Sequence, residues 1–171
     1  MSPHPPTSSS AGDSAESRSA TPTAAARGST ARANGSCLFD RIADGELAAD
    51  LVLDEPEVLA FLDHRPLFAG HTLVIPRRHV ATLAELAPEM GALLFEASRR
   101  VAAAQRDALG CQGTFLALND VVSQSVPHVH LHVVPRTRGD GLRGFFWPRT
   151  RYAAGEGAEV AARLRDALGA A

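Results

Sequence analysis

The chain contains no lysine: all 17 of its basic residues are arginine, set against 19 acidic ones. Together with the many alanines, this reflects a GC-rich coding sequence more than a function. The resulting net charge of −2 gives no reason to expect a nucleic-acid partner. Cysteine is equally scarce. Cys37 and Cys111 are too few for a disulfide framework and fit a reducing compartment, so a cytoplasmic protein is expected. No apolar run is long enough to cross a membrane, and the N-terminus has no apolar h-region of a secretory signal. Aromatic residues make up only 5% of the chain.

Large apolar residues are nearly missing from residues 1–36, which are built of Ser, Ala, Thr, Pro and Gly. Such a segment cannot bury enough surface to offset chain entropy, and a disordered tail is expected there, with its His4 inert. Residues 37–171 read as one globular domain. A short helix from about Cys37 to Ile42 precedes the turn signal Asp44-Gly45, and strands follow near Asp50–Leu53, Val58–Asp63 and His71–Pro76. Leu93, Leu94, Ala97, Val101, Ala104 and Ala108 then recur at helical spacing, with Pro88 in the first turn and Gly110 just past the end. Strands at Thr114–Leu118 and His128–Val134 follow, the latter ended by Pro135, and a last helix is expected near Glu156–Leu168. The fold class is α+β: a mainly antiparallel five-stranded sheet carrying one long helix, with a further helix at the C-terminus.

What the chain has in abundance is histidine in one place. His128, His130 and His132 alternate with Val129 and Leu131. In a strand this pattern puts three imidazoles on one face, roughly 6.5–7 Å apart, with aliphatic side chains behind them. Crowding three such groups is costly unless something binds there, and the chemistry that suits them is metal ligation or reaction at a phosphate.

The preceding segment favours phosphate. Asn119, Gln124 and Ser125 offer neutral amides and a hydroxyl that can hold phosphate oxygens, and Ser125 can relay a proton to a departing group. A zinc hydrolase would call for a carboxylate general base, and Asp120 is the only acid in this stretch.

The run Gln124-Ser-Val-Pro-His-Val-His-Leu-His-Val-Val134 closely resembles the signature of the histidine triad family of nucleotide hydrolases and transferases. Phe61, Asp63 and the segment from Ala69 to His79 resemble the family's ribose-binding strand and the loop that supplies a fourth active-site histidine, so the resemblance spans about Cys37 to Val134. It implies that His130 attacks the α-phosphorus of a purine nucleotide to form a covalent nucleotidyl-histidine. His132 and His71 would donate to phosphate oxygens, and His128 would support them. Asn119, Gln124 and Ser125 would face the phosphate and Asp63 the ribose. Leu38, Phe39, Ile42, Phe61 and Leu73 would form the base slot. The free ring nitrogen of the nucleophile would be set by a main-chain carbonyl on the neighbouring strand. The loop from Asn119 to Gln124 departs from the family in containing no glycine. The resemblance further implies pairing as a homodimer.

No cofactor is required by this chemistry. Some members of the family nonetheless bind a structural zinc, and the corresponding residues here are Cys37, Asp40, His79 and His128, with a carboxylate in place of one thiolate. Oxygen is an acceptable zinc donor. The segment containing Phe145, Phe146 and Trp147, flanked by Arg143 and Arg149, is expected to anchor the C-terminal strand or a dimer, or alternatively to select the leaving group. His64 reads as a loop residue. The expected reaction is cleavage at the α-phosphate of a phosphoramidate or dinucleoside polyphosphate. The alternatives are a phosphorylase acting on dinucleoside polyphosphates, a metal-dependent enzyme using the triplet as ligands, and a nucleotide-binding protein without turnover.

Overall fold

Two central strands buried along nearly their whole length organise the fold. In a computed structural model that describes residues 37–142 and 151–169, five strands form one fully antiparallel sheet in the order β1-β2-β3-β5-β4. These are β1 Leu51–Asp54, β2 Val58–Leu62, β3 Thr72–Pro76, β4 Gly113–Ala117 and β5 Leu131–Arg136. The helices are α1 Leu38–Ala43, α2 Pro88–Leu109 and α3 Glu156–Gly169, with a 3₁₀ turn at Leu83–Glu85. The described residues all lie in the unit Ser36–Ala171. The tail expected over residues 1–36 and the aromatic segment of Phe145, Phe146 and Trp147 fall outside the described residues.

Successive residues of β2 and β3 point to opposite faces, and both faces are covered. Val58, Ala60 and Val74 meet Leu94, Ala97 and Val101 of α2 on one side. Leu59, Phe61, Leu73 and Ile75 meet Phe39 of α1 on the other. These two strands are therefore apolar throughout rather than alternating, as strands buried on both faces must be.

Helix α2 begins with Pro88, whose missing N–H costs nothing at that position, and stops at Gly110, which adopts the left-handed conformation (φ 67°) of a C-terminal cap. Its buried stripe differs from the expected one: Leu93 is exposed, while Ser98 and Gln105 are buried. Ser98 Oγ donates to the Leu94 carbonyl and Gln105 Nε2 to the carbonyls of Gly70 and Val133 at 2.9 and 3.0 Å. Gly70 itself has φ 93°, which no side chain adopts without strain.

Two boundaries of β5 depart from the sequence reading. The strand starts at Leu131, opposite Val74, rather than at His128: β3 continues to Pro76, but the Val129 N–H donates to the Val80 carbonyl at 2.7 Å instead of joining the ladder. At the other end Pro135 continues the strand instead of ending it, paired with Thr114. Arg136 gives its carbonyl to Gln112 beside β4, so Pro135 turns its edge toward β3, whose ladder with β5 ends at Val133. Helix α3 forms where expected, but none of its residues is buried, and Leu164 and Leu168 are exposed.

Candidate functional site

A cross-strand row places two of the apolar residues expected to hold a base, Phe61 and Leu73, beside the histidines. Phe61 on β2 pairs with Leu73 on β3, and Leu73 pairs with His132 on β5, so the three side chains emerge side by side on the face covered by α1. Over this row lies a cavity of about 440 Å³. Helix α1 supplies Leu38, Phe39 and Ile42 to its wall, the sheet supplies Phe61, Leu73 and His132, and Asp63, Ser125 and His130 complete the polar end. Phe39 stands edge-on to both Phe61 and His130, with ring centroids 5.4 and 5.2 Å apart. His64, read from sequence as a loop residue, also lines the cavity.

The three histidines are not equivalent and do not form an even row. The rings of His130 and His132 approach to 4.9 Å, closer than the strand rise predicts, because His130 precedes the strand. His128 is fully buried and absent from the cavity wall. Its Nε2 donates to the carbonyl of Pro76 at 2.9 Å. His130 Nδ1 donates to the main-chain carbonyl of His128 at 2.7 Å, which leaves Nε2 of a neutral ring with its lone pair free. That carbonyl lies two residues upstream on the same segment, not on a neighbouring strand.

A backbone donor decides the next two tautomers. The Leu67 N–H donates to His71 Nδ1 at 3.3 Å, so His71 carries its proton on Nε2 and donates to His132 Nδ1 at 3.0 Å. His132 is then protonated on Nε2. Burial and the neighbouring His130 and His71 push its pKa down to about 4, with Asp63 opposing, and burial also lowers that of His71. Both rings are neutral at pH 7. His71 stands behind His132 rather than on the cavity wall, and Asp63 Oδ2 lies 3.6 Å from its Nδ1.

The loop before the triplet is held in an unusual shape. Val121 and Ser123 have φ of 60° and 62°, the left-handed region that glycine normally fills. Three anchors hold it: the Leu83 N–H donates to Asp120 Oδ1, the Val121 N–H to Gln124 Oε1, and Gln124 Nε2 to the Ala81 carbonyl. Gln124 is thus spent on the loop, and neither it nor Asn119 lines the cavity, whereas Ser125 does. Backbone strain of this kind gathers at functional sites.

Cys37, Asp40, His79 and His128 bring four ligand atoms within 4.8 Å of one another beneath α1. The contacts are 3.7 Å from Cys37 Sγ to His128 Nδ1, 3.2 Å from His128 Nδ1 to Asp40 Oδ1 and 3.1 Å from His79 Nδ1 to Asp40 Oδ2. Tetrahedral zinc with ligands at about 2.0–2.3 Å sets ligand edges of about 3.3–3.6 Å, so the set fits. His79 Nδ1 is buried and makes no hydrogen bond despite that proximity. His128 has its proton on Nε2, which turns the Nδ1 lone pair toward the cluster, the usual state of a metal-bound imidazole.

Sequence reasoning missed Arg77. Its Nε and Nη1 donate to the carbonyls of Glu55 and Ala43, and its Nη2 to the Asp54 carboxylate, tying the end of α1 to the β1–β2 hairpin. Its partners are up to 34 residues away, and no local pattern announces them. Among the described residues, no helix is long and apolar enough to cross a membrane.

Known proteins resemble this chain in sequence and in fold. The HIT domain model matches residues 44–139. An uncharacterized HIT-like protein of Mycobacterium tuberculosis is 41% identical over 108 residues, covering 62% of this chain and 75% of that protein. The adenosine 5'-monophosphoramidase of Schizosaccharomyces pombe is 32% identical over 115 residues, covering 66% and 84%. The crystal structure of a zinc-bound histidine triad family protein from Mycobacterium smegmatis superposes with a TM-score of 0.61 at 36% identity, covering 80% of this chain and 98% of that one. The chain belongs to the histidine triad (HIT) family.

Proposed function

We propose that the protein is a nucleotide hydrolase or nucleotidyl transferase that cleaves at the α-phosphate of a purine nucleotide derivative through a covalent intermediate on His130. The observation that carries this reading is the bond from His130 Nδ1 to the His128 carbonyl, which keeps the Nε2 lone pair of His130 available at the cavity. In the first step Nε2 forms a bond to the α-phosphorus while the bond to the leaving group breaks. The positive charge that develops on the ring is stabilised through Nδ1–H on the carbonyl. His132 donates its Nε2–H to a non-bridging oxygen, and Ser125 passes its hydroxyl proton to the leaving group while taking one from solvent. Water then attacks the phosphorus as the bond from phosphorus to Nε2 breaks, the water gives up a proton to solvent, and His130 returns to its neutral form with the electron pair of that bond.

The base lies between Phe39, Phe61 and Leu73, and Asp63 accepts from the ribose hydroxyls. The S. pombe relative's activity supports a phosphoramidate, with a P–N bond, as substrate. Dinucleoside polyphosphates present the same α-phosphorus. No metal is assigned to these steps. Cys37, Asp40, His79 and His128 would hold a zinc ion that supplies structural stabilisation. The family resemblance supports a homodimer working in the cytoplasm.

The test is rapid quenching with a labelled adenosine phosphoramidate, with and without inorganic phosphate. A nucleotidyl adduct on the His130 peptide, absent from His130→Ala, is expected. Near wild-type turnover by His130→Ala would overturn the mechanism.

A further inference from the structure

We propose that a divalent cation held by Cys37, Asp40, His79 and His128 acts as a clasp that sets the nucleotide site from two sides at once, so that metal loading and nucleotide binding are thermodynamically coupled. The proposal rests on the reading of His130 as the nucleophile and goes beyond a purely structural metal.

The ligands come from three separate segments. Cys37 caps the start of α1 and Asp40 sits in its first turn, His79 follows β3, and His128 precedes β5. Each end of the cluster touches the cavity through one neighbour. Phe39, between the two α1 ligands, forms the slot wall and stands edge-on to His130. His128 uses its ring in the cluster and its main-chain carbonyl to orient the His130 ring. A cation drawing these atoms together fixes slot wall and nucleophile in one act.

Helix α1 needs such a restraint. It has six residues and no side-chain cap, far below the length at which a helix persists alone. Arg77 ties its C-terminal end through the Ala43 carbonyl, and the ligand cluster lies at its N-terminal end. A thiolate, a carboxylate and two neutral imidazoles balance a divalent charge. One oxygen donor in place of a thiolate makes the site harder, and so more exchangeable, than a sulfur-rich one. A site that exchanges its metal can report metal supply, whereas a permanently filled one cannot. Because cation and nucleotide both favour the state with α1 docked, each raises the affinity for the other.

The experiment uses the full chain, stripped with a chelator and reloaded with zinc. One zinc per chain is expected. Cobalt(II) used as a probe should give a tetrahedral visible spectrum whose thiolate charge-transfer band disappears in Cys37→Ser. AMP should bind about tenfold more tightly to the zinc-loaded protein, within the range of coupled two-site equilibria. The ¹⁵N-detected Nδ1–H resonance of His130 should be sharp when loaded and broadened when stripped. His79→Ala should abolish both zinc effects, and Asp40→Cys should retain them with tighter metal binding. Equal AMP affinity with and without zinc, in protein carrying one bound zinc, overturns the coupling, as does failure to bind zinc stoichiometrically. Absence of AMP binding to either form overturns the nucleotide reading and the coupling with it, whereas equal affinity in the two forms overturns the coupling alone.

Discussion

The imidazole of His130 gives its Nδ1 proton to the carbonyl of His128, 2.7 Å away, so a backbone atom of one triad member chooses the reactive nitrogen of the next. The side chain of His128 is meanwhile committed to Pro76 and the ligand cluster. A single residue thereby connects the cluster to the proposed nucleophile.

Removing the nucleophile should abolish turnover rather than weaken binding. His130→Ala is expected to lower kcat on an adenosine phosphoramidate by at least about 10⁴-fold, the order seen when a covalent nucleophile is lost. AMP affinity, measured by calorimetry, should change little. A parallel collapse of affinity would place His130 in binding instead.

His132 should make stability depend on mild acid. Its folded pKa, about 4, lies below the unfolded value of 6.5, so the unfolded chain takes up the proton first. The stability linked to its neutral form is fully present above pH 6.5 and is lost as the pH falls from there toward 4. Thermal melts at pH 7.5 and 4.5 should therefore separate the wild type from His132→Asn, with the wild type losing more. Equal losses would show that the ring gains no proton on unfolding.

Relieving the loop should stabilise the fold. Val121 is a β-branched residue at φ 60°, and Val121→Gly removes strain of about 1–3 kcal/mol while adding chain entropy of up to about 1 kcal/mol to the unfolded state. A net gain of roughly 1 kcal/mol, read as a Tm rise of about 3–5 °C, is expected. A lower Tm would mean that the valine side chain supports the loop.

Arg77 should matter for both stability and substrate binding. Arg77→Ala leaves the carbonyls of Ala43 and Glu55 without this donor and is expected to cost about 2–3 kcal/mol in urea unfolding. Because α1 carries Phe39, KM should rise more than kcat falls. An unchanged KM in a destabilised protein would separate the anchor from the slot.

Much of the architecture was legible in the residues. The helical spacing before Gly110, the apolar runs from Val58 and from Thr72, and the Gln-Ser plus alternating histidines of 124–132 are local patterns, and the elements and cavity appear close to them. Errors occurred where a distant partner overrode the local rule. Gln105 is polar yet buried because the distant carbonyls of Gly70 and Val133 accept from its amide, while Ser98 bonds the Leu94 carbonyl one turn back in its own helix. The histidine run looked like continuous strand, but the Val129 N–H is taken by the Val80 carbonyl, and pairing with β3 stops at Leu131. Arg77 had no local signal at all.

Which residue types are available for phosphate chemistry, and at what spacing, can be read along the chain, since side-chain chemistry and backbone periodicity are properties of sequence neighbours. The tautomer and exposure of each histidine came from the folded arrangement. A ring's tautomer, burial and free nitrogen depend on which carbonyl or N–H lies beside it, and Pro76, Leu67 and the packing of α1 over β5 reach those rings only once the sheet has closed.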